Sequence, residues 1–146
     1  MSKVIDDFKN KFQTDEFLIS ETDYWVWSLR PSQATIGAGV LSLKRECPEF
    51  GGLLEEEFSD LHNIIPVIEN TLKSTFDYDV INYLMLMMLD KQVHYHIIPR
   101  YERTIDFAGE KWNDEGWPGV PNLSVDVSDK TILKSIHKRL QENLVK

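Results

Sequence analysis

The sequence predicts an α+β fold in which one long helix and a C-terminal helix pack on a central antiparallel sheet of about five strands. Three observations point to this class. Short runs rich in β-branched and aromatic residues are bounded by turn signals, two longer stretches have helical apolar spacing, and no repeating strand–helix–strand rhythm is present. With 146 residues and no linker-like tract, the chain is expected to form a single domain, residues 1–146.

The first third of the chain is expected to form a short helix followed by three strands. Apolar residues at helical spacing predict the amphipathic helix: Val4, Ile5, Phe8 and Phe12. The three strands are predicted over residues 17–20, 24–29 and 35–43. Gly37 and Gly39 in the last of them indicate a bulge or a close backbone approach.

The clearest helix begins after Gly51-Gly52. Its apolar residues recur every three or four positions and predict one buried stripe: Leu54, Phe58, Leu61, Ile65, Ile68 and Leu72. Three glutamates, residues 55–57, occupy the first turn, where the helix dipole favours negative charge, and we expect them to be solvated. Pro66 lies inside this helix and predicts a kink, because an interior proline costs about 3 kcal/mol.

The second half of the chain is expected to complete the sheet and end in a helix. Two apolar runs, 78–89 and 92–101, are joined by Asp90-Lys91 and predict an antiparallel hairpin in the middle of the sheet. Residues 106–122 are rich in glycine and proline and are predicted to be irregular. The last helix opens at Ser128, a favourable N-cap, and its predicted buried side is Ile132, Leu133, Ile136, Leu140 and Leu144.

Composition and charge narrow the classes of function. The chain carries 16 basic and 24 acidic side chains, so its net charge of −8 repels phosphate backbones and argues against nucleic acid as a partner. No apolar stretch approaches the roughly 20 residues of a membrane span, so no membrane partner is expected. Cys47 is the single cysteine and residues 1–10 lack a signal-peptide core, so a reducing cytoplasm is the expected location.

The chemistry is concentrated in the segment from Gln92 to Tyr101. On a strand, side chains two apart point the same way and stand roughly 7 Å apart, so Gln92, His94 and His96 are expected to share one face. Polar groups on a central strand need partners or a ligand. We therefore expect the two imidazoles to emerge side by side from a rigid strand into a vacant pocket.

The string His94-x-His96-Ile97-Ile98-Pro99-Arg100 resembles the histidine-triad (HIT) motif. That motif is a histidine–hydrophobic–histidine–hydrophobic–histidine run followed by two hydrophobic residues, and the Pro-Arg ending is common in the branch that cleaves dinucleoside polyphosphates. A glycine-containing strand ending in Lys44-Arg45, a long helix and a strand leading to the motif extend the likeness over residues 25–101. The resemblance implies a HIT-like fold and nucleotidyl transfer through histidine.

The resemblance also implies a role for each site residue. His94 matches the nucleophile that attacks the α-phosphorus and forms a nucleotidyl-histidine, which water then hydrolyses. His96 and Gln92 would donate to phosphate oxygens, and Asn82 and Arg100 would bind the nucleotide. The implied substrate is a dinucleoside polyphosphate or a nucleoside phosphoramidate. No metal or cofactor is required for this chemistry, and a homodimer is expected.

Two departures from the pattern leave alternatives open. Gln92 replaces the first histidine of the triad, and Met87-Met88-Leu89 stands where many members have a glycine-containing polar loop. The alternative is therefore a HIT-like module that binds a nucleotide without turning it over. A metal site is a third reading, because His-x-His followed by a glutamate such as Glu102 occurs in cupin barrels, although two long helices fit a barrel badly.

Overall fold

The structure is a computed structural model that describes residues 2–146. Its helices and strands follow one another in the order α1 (Lys3–Phe12), β1 (Leu18–Glu21), β2 (Trp25–Leu29), β3 (Gly39–Leu43), α2 (Glu55–Phe76), β4 (Val80–Leu84), β5 (His94–Arg100), β6 (Ile105–Phe107), β7 (Glu110–Trp112) and α3 (Lys130–Glu142). A short 3-10 turn, Phe50–Gly52, precedes α2.

Five strands form one antiparallel sheet in the order β1-β2-β3-β5-β4, and β6 and β7 form a separate hairpin. β5 lies between β3 and β4, so it is hydrogen-bonded on both sides. In this register Ser42 of β3 lies opposite His94, and Val40 lies opposite His96. The predicted α+β class and five-stranded antiparallel sheet are confirmed.

The sheet has one face in the main core and one face under α1. Trp25, Trp27 and Leu41 belong to the main core together with residues of α2 and α3. The indole Nε1 of Trp25 donates to the carbonyl oxygen of Glu57 at 2.8 Å, which joins β2 to α2. Side chains alternate along a strand, so Val40, next to Leu41, lies on the face opposite the main core. There it packs with Phe8 and Phe12 of α1.

Three strands are shorter than their apolar composition predicts. The strand expected over residues 35–43 begins at Gly39, and the hairpin runs of 78–89 and 92–101 contract to β4 and β5. Nine residues, 85–93, therefore connect β4 to β5 instead of a two-residue turn. The pairing of β4 with β5 ends at Leu84, and Met87 beyond it adopts a φ of 48°, which an extended strand cannot contain.

The glycine prediction is confirmed at Gly39. A Cβ atom there would lie 2.9 Å from Nε1 of Trp27 and 3.0 Å from the carbonyl oxygen of Ser28. Gly37 has a φ of 90°, which favours glycine over any residue with a side chain. Gly39 therefore lets β3 lie close against β2, whereas a Cβ atom at Gly37 would meet Leu72 and Phe76 of α2.

α2 continues through Pro66, but its first half buries a different face from the predicted stripe. Leu54 and Phe58 are exposed, whereas Glu57 and Asp60 are buried. The carboxylates are tolerated inside because each has donors: Arg45 bonds Glu57 twice at 2.8 Å, and the Thr22 hydroxyl donates to Asp60 at 2.7 Å. The expectation that residues 55–57 are all solvated is therefore wrong at Glu57.

The terminal helices follow their apolar spacing. Ile5, Phe8 and Phe12 are the buried residues of α1, and Leu133, Ile136 and Leu140 are those of α3. Val4, which belongs to the predicted apolar set of α1, is exposed instead. The N-cap of α3 is Asp129, one residue after the predicted Ser128.

Part of the segment predicted to be irregular, 106–122, instead forms strand residues of β6 and β7. Within residues 2–146, no helix has the length and apolar character needed to cross a membrane.

Candidate functional site

The two motif histidines lie side by side on β5, as predicted. Their ring centroids are 5.0 Å apart, with the planes at 79°. The central position of β5 fixes their backbone, because the strand is paired with β3 on one side and β4 on the other. The sheet therefore presents two imidazoles from a rigid support.

A backbone carbonyl sets the orientation of His94. Its Nδ1 lies 2.5 Å from the carbonyl oxygen of Gln92. A carbonyl oxygen only accepts hydrogen bonds, so Nδ1 carries the proton and the lone pair is on Nε2. An imidazole held in this tautomer presents Nε2 as a nucleophile or a base.

Burial keeps both rings neutral. It lowers the pKa of His94 below its ordinary value, and the Gln92 carbonyl opposes this effect only in part. Burial lowers the pKa of His96 to about 4, with a smaller contribution from the positive charge of Arg30. Neutral imidazoles are required for nucleophilic attack, so this electrostatic condition is met near neutral pH.

The vacant pocket expected above the rings is absent, because α1 covers them. His94 is 1% exposed and His96 is 8% exposed. The Phe8 ring centroid lies 5.0 Å from that of His94, and the Phe12 centroid lies 5.8 Å from that of His96. The expectation of an open phosphate site is therefore wrong for this arrangement of the chain.

Polar atoms under α1 lack partners. Nδ1 of His96 and the hydroxyl oxygen of Ser28 are buried without a hydrogen bond. Ser28 lies opposite Val40 across β2 and β3, and Val40 lies opposite His96, so the three form a row across one face. Unpaired polar atoms in a buried site are uncommon and mark a place where a polar ligand would be favourable.

The side chain of Gln92 has a different place from the predicted one. Gln92 precedes β5, and both hydrogens of its amide are donated to backbone carbonyls, to Leu43 at 3.0 Å and to Arg45 at 2.6 Å. Its Oε1 accepts from the backbone N–H of Cys47 at 2.8 Å. The predicted phosphate contact from this amide is therefore wrong, and the side chain instead fixes the segment that follows β3.

Asn82 and Arg100 are hydrogen-bonded to each other, so their side chains are not free to contact a ligand. Arg100 donates to Oδ1 of Asn82 at 2.9 Å, to both carboxylate oxygens of Asp114 at 2.6 and 3.2 Å, and to the carbonyl of Gly119 at 2.8 Å. Four of the five guanidinium N–H groups are thereby used. The predicted nucleotide contacts give way to an ion pair that holds residues 114–119 against the sheet.

Two features of the site were not assigned from the sequence. The spacing of Phe8 and Phe12 predicts an amphipathic helix but does not say which surface it covers. Ser28 reads as an ordinary strand residue, and only the register places it in the row with His96. Among residues 2–146 no group of three or more His, Cys, Asp or Glu side chains is placed to hold a metal ion.

Solved structures provide the comparison for this fold. No protein-family model matches the chain, and no curated protein matches it. It is similar to a histidine triad nucleotide-binding protein of Sulfolobus tokodaii, with 16% identity, 97% of this chain and 91% of that chain covered and a TM-score of 0.68.

Two bacterial structures give the same result. A histidine triad protein of Sinorhizobium meliloti has 20% identity, coverage of 90% and 93% and a TM-score of 0.67. A Hit-like protein of Bartonella henselae, described as involved in cell-cycle regulation, has 18% identity, coverage of 88% and 86% and a TM-score of 0.64. The chain therefore has the fold of histidine-triad proteins.

Proposed function

We propose that this chain, which has the histidine-triad fold, binds a nucleotide through His94 and His96 and cleaves it at the α-phosphate. The observation that carries the proposal is the hydrogen bond from Nδ1 of His94 to the carbonyl of Gln92. It leaves Nε2 unprotonated on a ring that burial keeps neutral. The adjacent ring of His96 supplies a donor next to the attacking atom.

The proposed reaction has two displacements at phosphorus. Nε2 of His94 attacks the α-phosphorus, a P–N bond forms, and the P–O or P–N bond to the leaving group breaks, with a proton from solvent water going to that group. Water then attacks the same phosphorus, loses a proton and releases a nucleoside monophosphate while the lone pair returns to Nε2. His96 donates to the phosphate oxygens as negative charge develops on them.

Gln92 has a positioning role in this proposal. Its backbone carbonyl orients His94, and its amide ties that carbonyl to the segment 43–47. The replacement of a histidine by glutamine therefore preserves the orientation of the nucleophile. It leaves no protonatable side chain at this position to assist the leaving group.

The substrates proposed are dinucleoside polyphosphates and nucleoside phosphoramidates. Purified protein is incubated with diadenosine tri- and tetraphosphate and with adenosine phosphoramidate, and the released AMP is measured. We expect His94→Ala to reduce turnover by about 10³-fold or more, since it removes the covalent nucleophile. His62→Ala is the matched control, because His62 lies exposed on α2. Turnover that survives His94→Ala would exclude the assigned nucleophile.

A second candidate is a module that binds a nucleotide without cleaving it. The observation that favours it is Gln92, whose side chain is bound to backbone groups of residues 43–47 and leaves no protonatable group to assist a leaving group. Calorimetry with AMP separates the two candidates. Binding that His96→Ala weakens by about tenfold or more, with no AMP released from any substrate, supports the binding module.

We also propose that two copies pair through the free edge of β4. This strand has a partner only on its β5 side within the described sheet. Next to it, the connection to β5 carries Met88 and Leu89, which are 79% and 87% exposed. An open strand edge beside exposed apolar side chains is typical of a surface that a second strand covers.

A further inference from the structure

We propose that α1 is a displaceable cover, which holds His94 and His96 shut in this structure and moves aside to admit a phosphate-bearing ligand. The identity of the ligand rests on the proposed function. The movement of the helix does not, because it is inferred from the packing and the polar atoms around α1. The two parts are therefore testable apart from each other.

The contact between α1 and the sheet is small and separate from the main core. Phe8 and Phe12 pack with Val40 in a cluster of their own. Their rings also lie against the two histidines, with Phe8 5.0 Å and Phe12 5.7 Å from His94 between centroids. Phe8 and Phe12 thus contact the same residues that the helix conceals.

Several polar atoms buried beneath α1 have no hydrogen-bond partner, which is unusual for a permanent interface. Nδ1 of His96 and the Ser28 hydroxyl are unpaired there, and Oε1 of Gln13, at the end of α1, is also buried without a partner. An unpaired polar atom destabilises the arrangement that buries it. Imidazole and hydroxyl groups can donate hydrogen bonds to phosphate oxygens. A phosphate-bearing ligand would therefore supply partners for the polar atoms that α1 leaves without hydrogen bonds.

Clefts flank α1 on both sides. A cleft of about 450 Å³ separates it from β2 and β3, where Val26 and Ser42 line the floor. Another, of about 310 Å³, lies between Phe8 and the segment 89–92. Ser42 lies opposite His94 in the ladder, so the larger cleft reaches the residue paired with this histidine. A ligand therefore has space beside the helix before the helix moves.

An ion pair and a left-handed residue lie at the C-terminal end of α1, where the proposed movement would begin. Nζ of Lys11 lies 2.7 Å from Oδ2 of Asp90, which ties the end of α1 to the segment before β5. Both side chains are partly exposed, so this contact is weak. Gln13 follows with φ 52° and ψ 43°, a left-handed conformation that ends the helix and is suited to a hinge.

The test measures access to the histidines without any nucleotide. Diethyl pyrocarbonate modifies accessible imidazoles, and peptide mass spectrometry gives a separate rate for each of the four histidines. In the unaltered chain we expect His62 to react rapidly while His94 and His96 are protected. Lys11→Glu removes the ion pair and repels Asp90, and we expect the two protected rates to rise about two- to fivefold.

A charge swap provides the matched control. Lys11→Glu combined with Asp90→Lys restores an ion pair of opposite direction, and its rates should return close to those of the unaltered chain. Phe12→Ala, checked by circular dichroism and thermal unfolding, should raise the rates at His94 and His96 by tenfold or more. Protection that both Lys11→Glu and Phe12→Ala leave unchanged would show that α1 is a fixed part of the fold.

Calorimetry with AMP on the same variants separates the cover from the ligand. If α1 is a cover over a nucleotide site, Lys11→Glu binds AMP more tightly in proportion to its gain in histidine reactivity, and the charge swap does not. If reactivity rises and AMP binds to none of the variants, the cover stands and the proposed function fails. If AMP binds equally to all variants while reactivity rises, the ligand does not need the movement and this inference is overturned.

Discussion

The pKa of His96 shows most clearly how burial under α1 affects a single residue. In a solvated strand its ring would titrate near the ordinary histidine pKa of 6.5, but burial under Phe12 lowers that pKa to about 4. Between pH 4 and pH 6.5, His96 is therefore mostly protonated in the unfolded chain and mostly neutral in the folded chain. The folded state loses stability as the pH falls through this window, because unfolding then takes up a proton.

The corresponding prediction concerns the pH dependence of unfolding. A fall in pKa from 6.5 to about 4 corresponds to roughly 3 kcal/mol of stability that is present at pH 7 and absent below pH 4. We expect His96→Asn to lose less stability than the unaltered chain between pH 7 and pH 4.5, by roughly 2 kcal/mol. Urea unfolding at the two pH values measures this.

His62→Asn is the control for that comparison, since His62 is exposed. It should keep the full pH dependence of the unaltered chain. An identical loss of stability in the His96→Asn chain would contradict the burial of a neutral His96.

At the residue scale, local spacing predicts what depends on neighbours along one strand and misses what depends on distant partners. The two-residue spacing of His94 and His96 suffices to place their rings together. The destination of the Gln92 side chain is different, because its partners at positions 43, 45 and 47 are contributed by a segment far away in the sequence. Arg100 and Asp114 are likewise joined only once the chain has folded.

At the scale of elements, amphipathicity predicts a helix but not the surface it covers. The buried side of α1 agrees with its apolar spacing, yet nothing in that spacing indicates that Phe8 and Phe12 lie on the histidines. In α2 the failure is of another kind. Its apolar stripe predicts burial of Phe58, but the ion pair of Glu57 with Arg45 and the hydrogen bonds to Asp60 turn those carboxylates inward instead.

The free edge of β4 predicts that the chain associates with itself. We expect the chain to be a dimer at micromolar concentration, and Met88→Glu combined with Leu89→Glu to shift it towards the monomer, because two charged side chains would be brought into the pair. Analytical ultracentrifugation measures the change. A surface double change on α3, Lys134→Glu with Lys138→Glu, is the control, and a monomeric unaltered chain would contradict the pairing.

At the scale of the molecule, the class of fold follows from the alternation of strand and helix signals, whereas the order of the strands does not. The pairing of β3 with β5 joins segments separated by α2 and β4, and this pairing alone brings Ser42 and Val40 beside the two histidines. Strand ends are also decided by the assembled sheet. The apolar run that continues β4 has no partner strand in the described sheet, and Leu86, Met88 and Leu89 in it are exposed.

The proposed function requires a phosphate-bearing ligand to reach His94 and His96, and the ring signals of these residues test this requirement most directly. In long-range ¹H–¹⁵N spectra the four histidines give separate signals, and AMP is added to the unaltered chain and to Lys11→Glu. We predict that the ring nitrogens of His94 and His96 shift, more strongly in Lys11→Glu, while those of His62 and His137 remain in place. Saturable binding of AMP with no change at His94 or His96 in either chain would contradict the account.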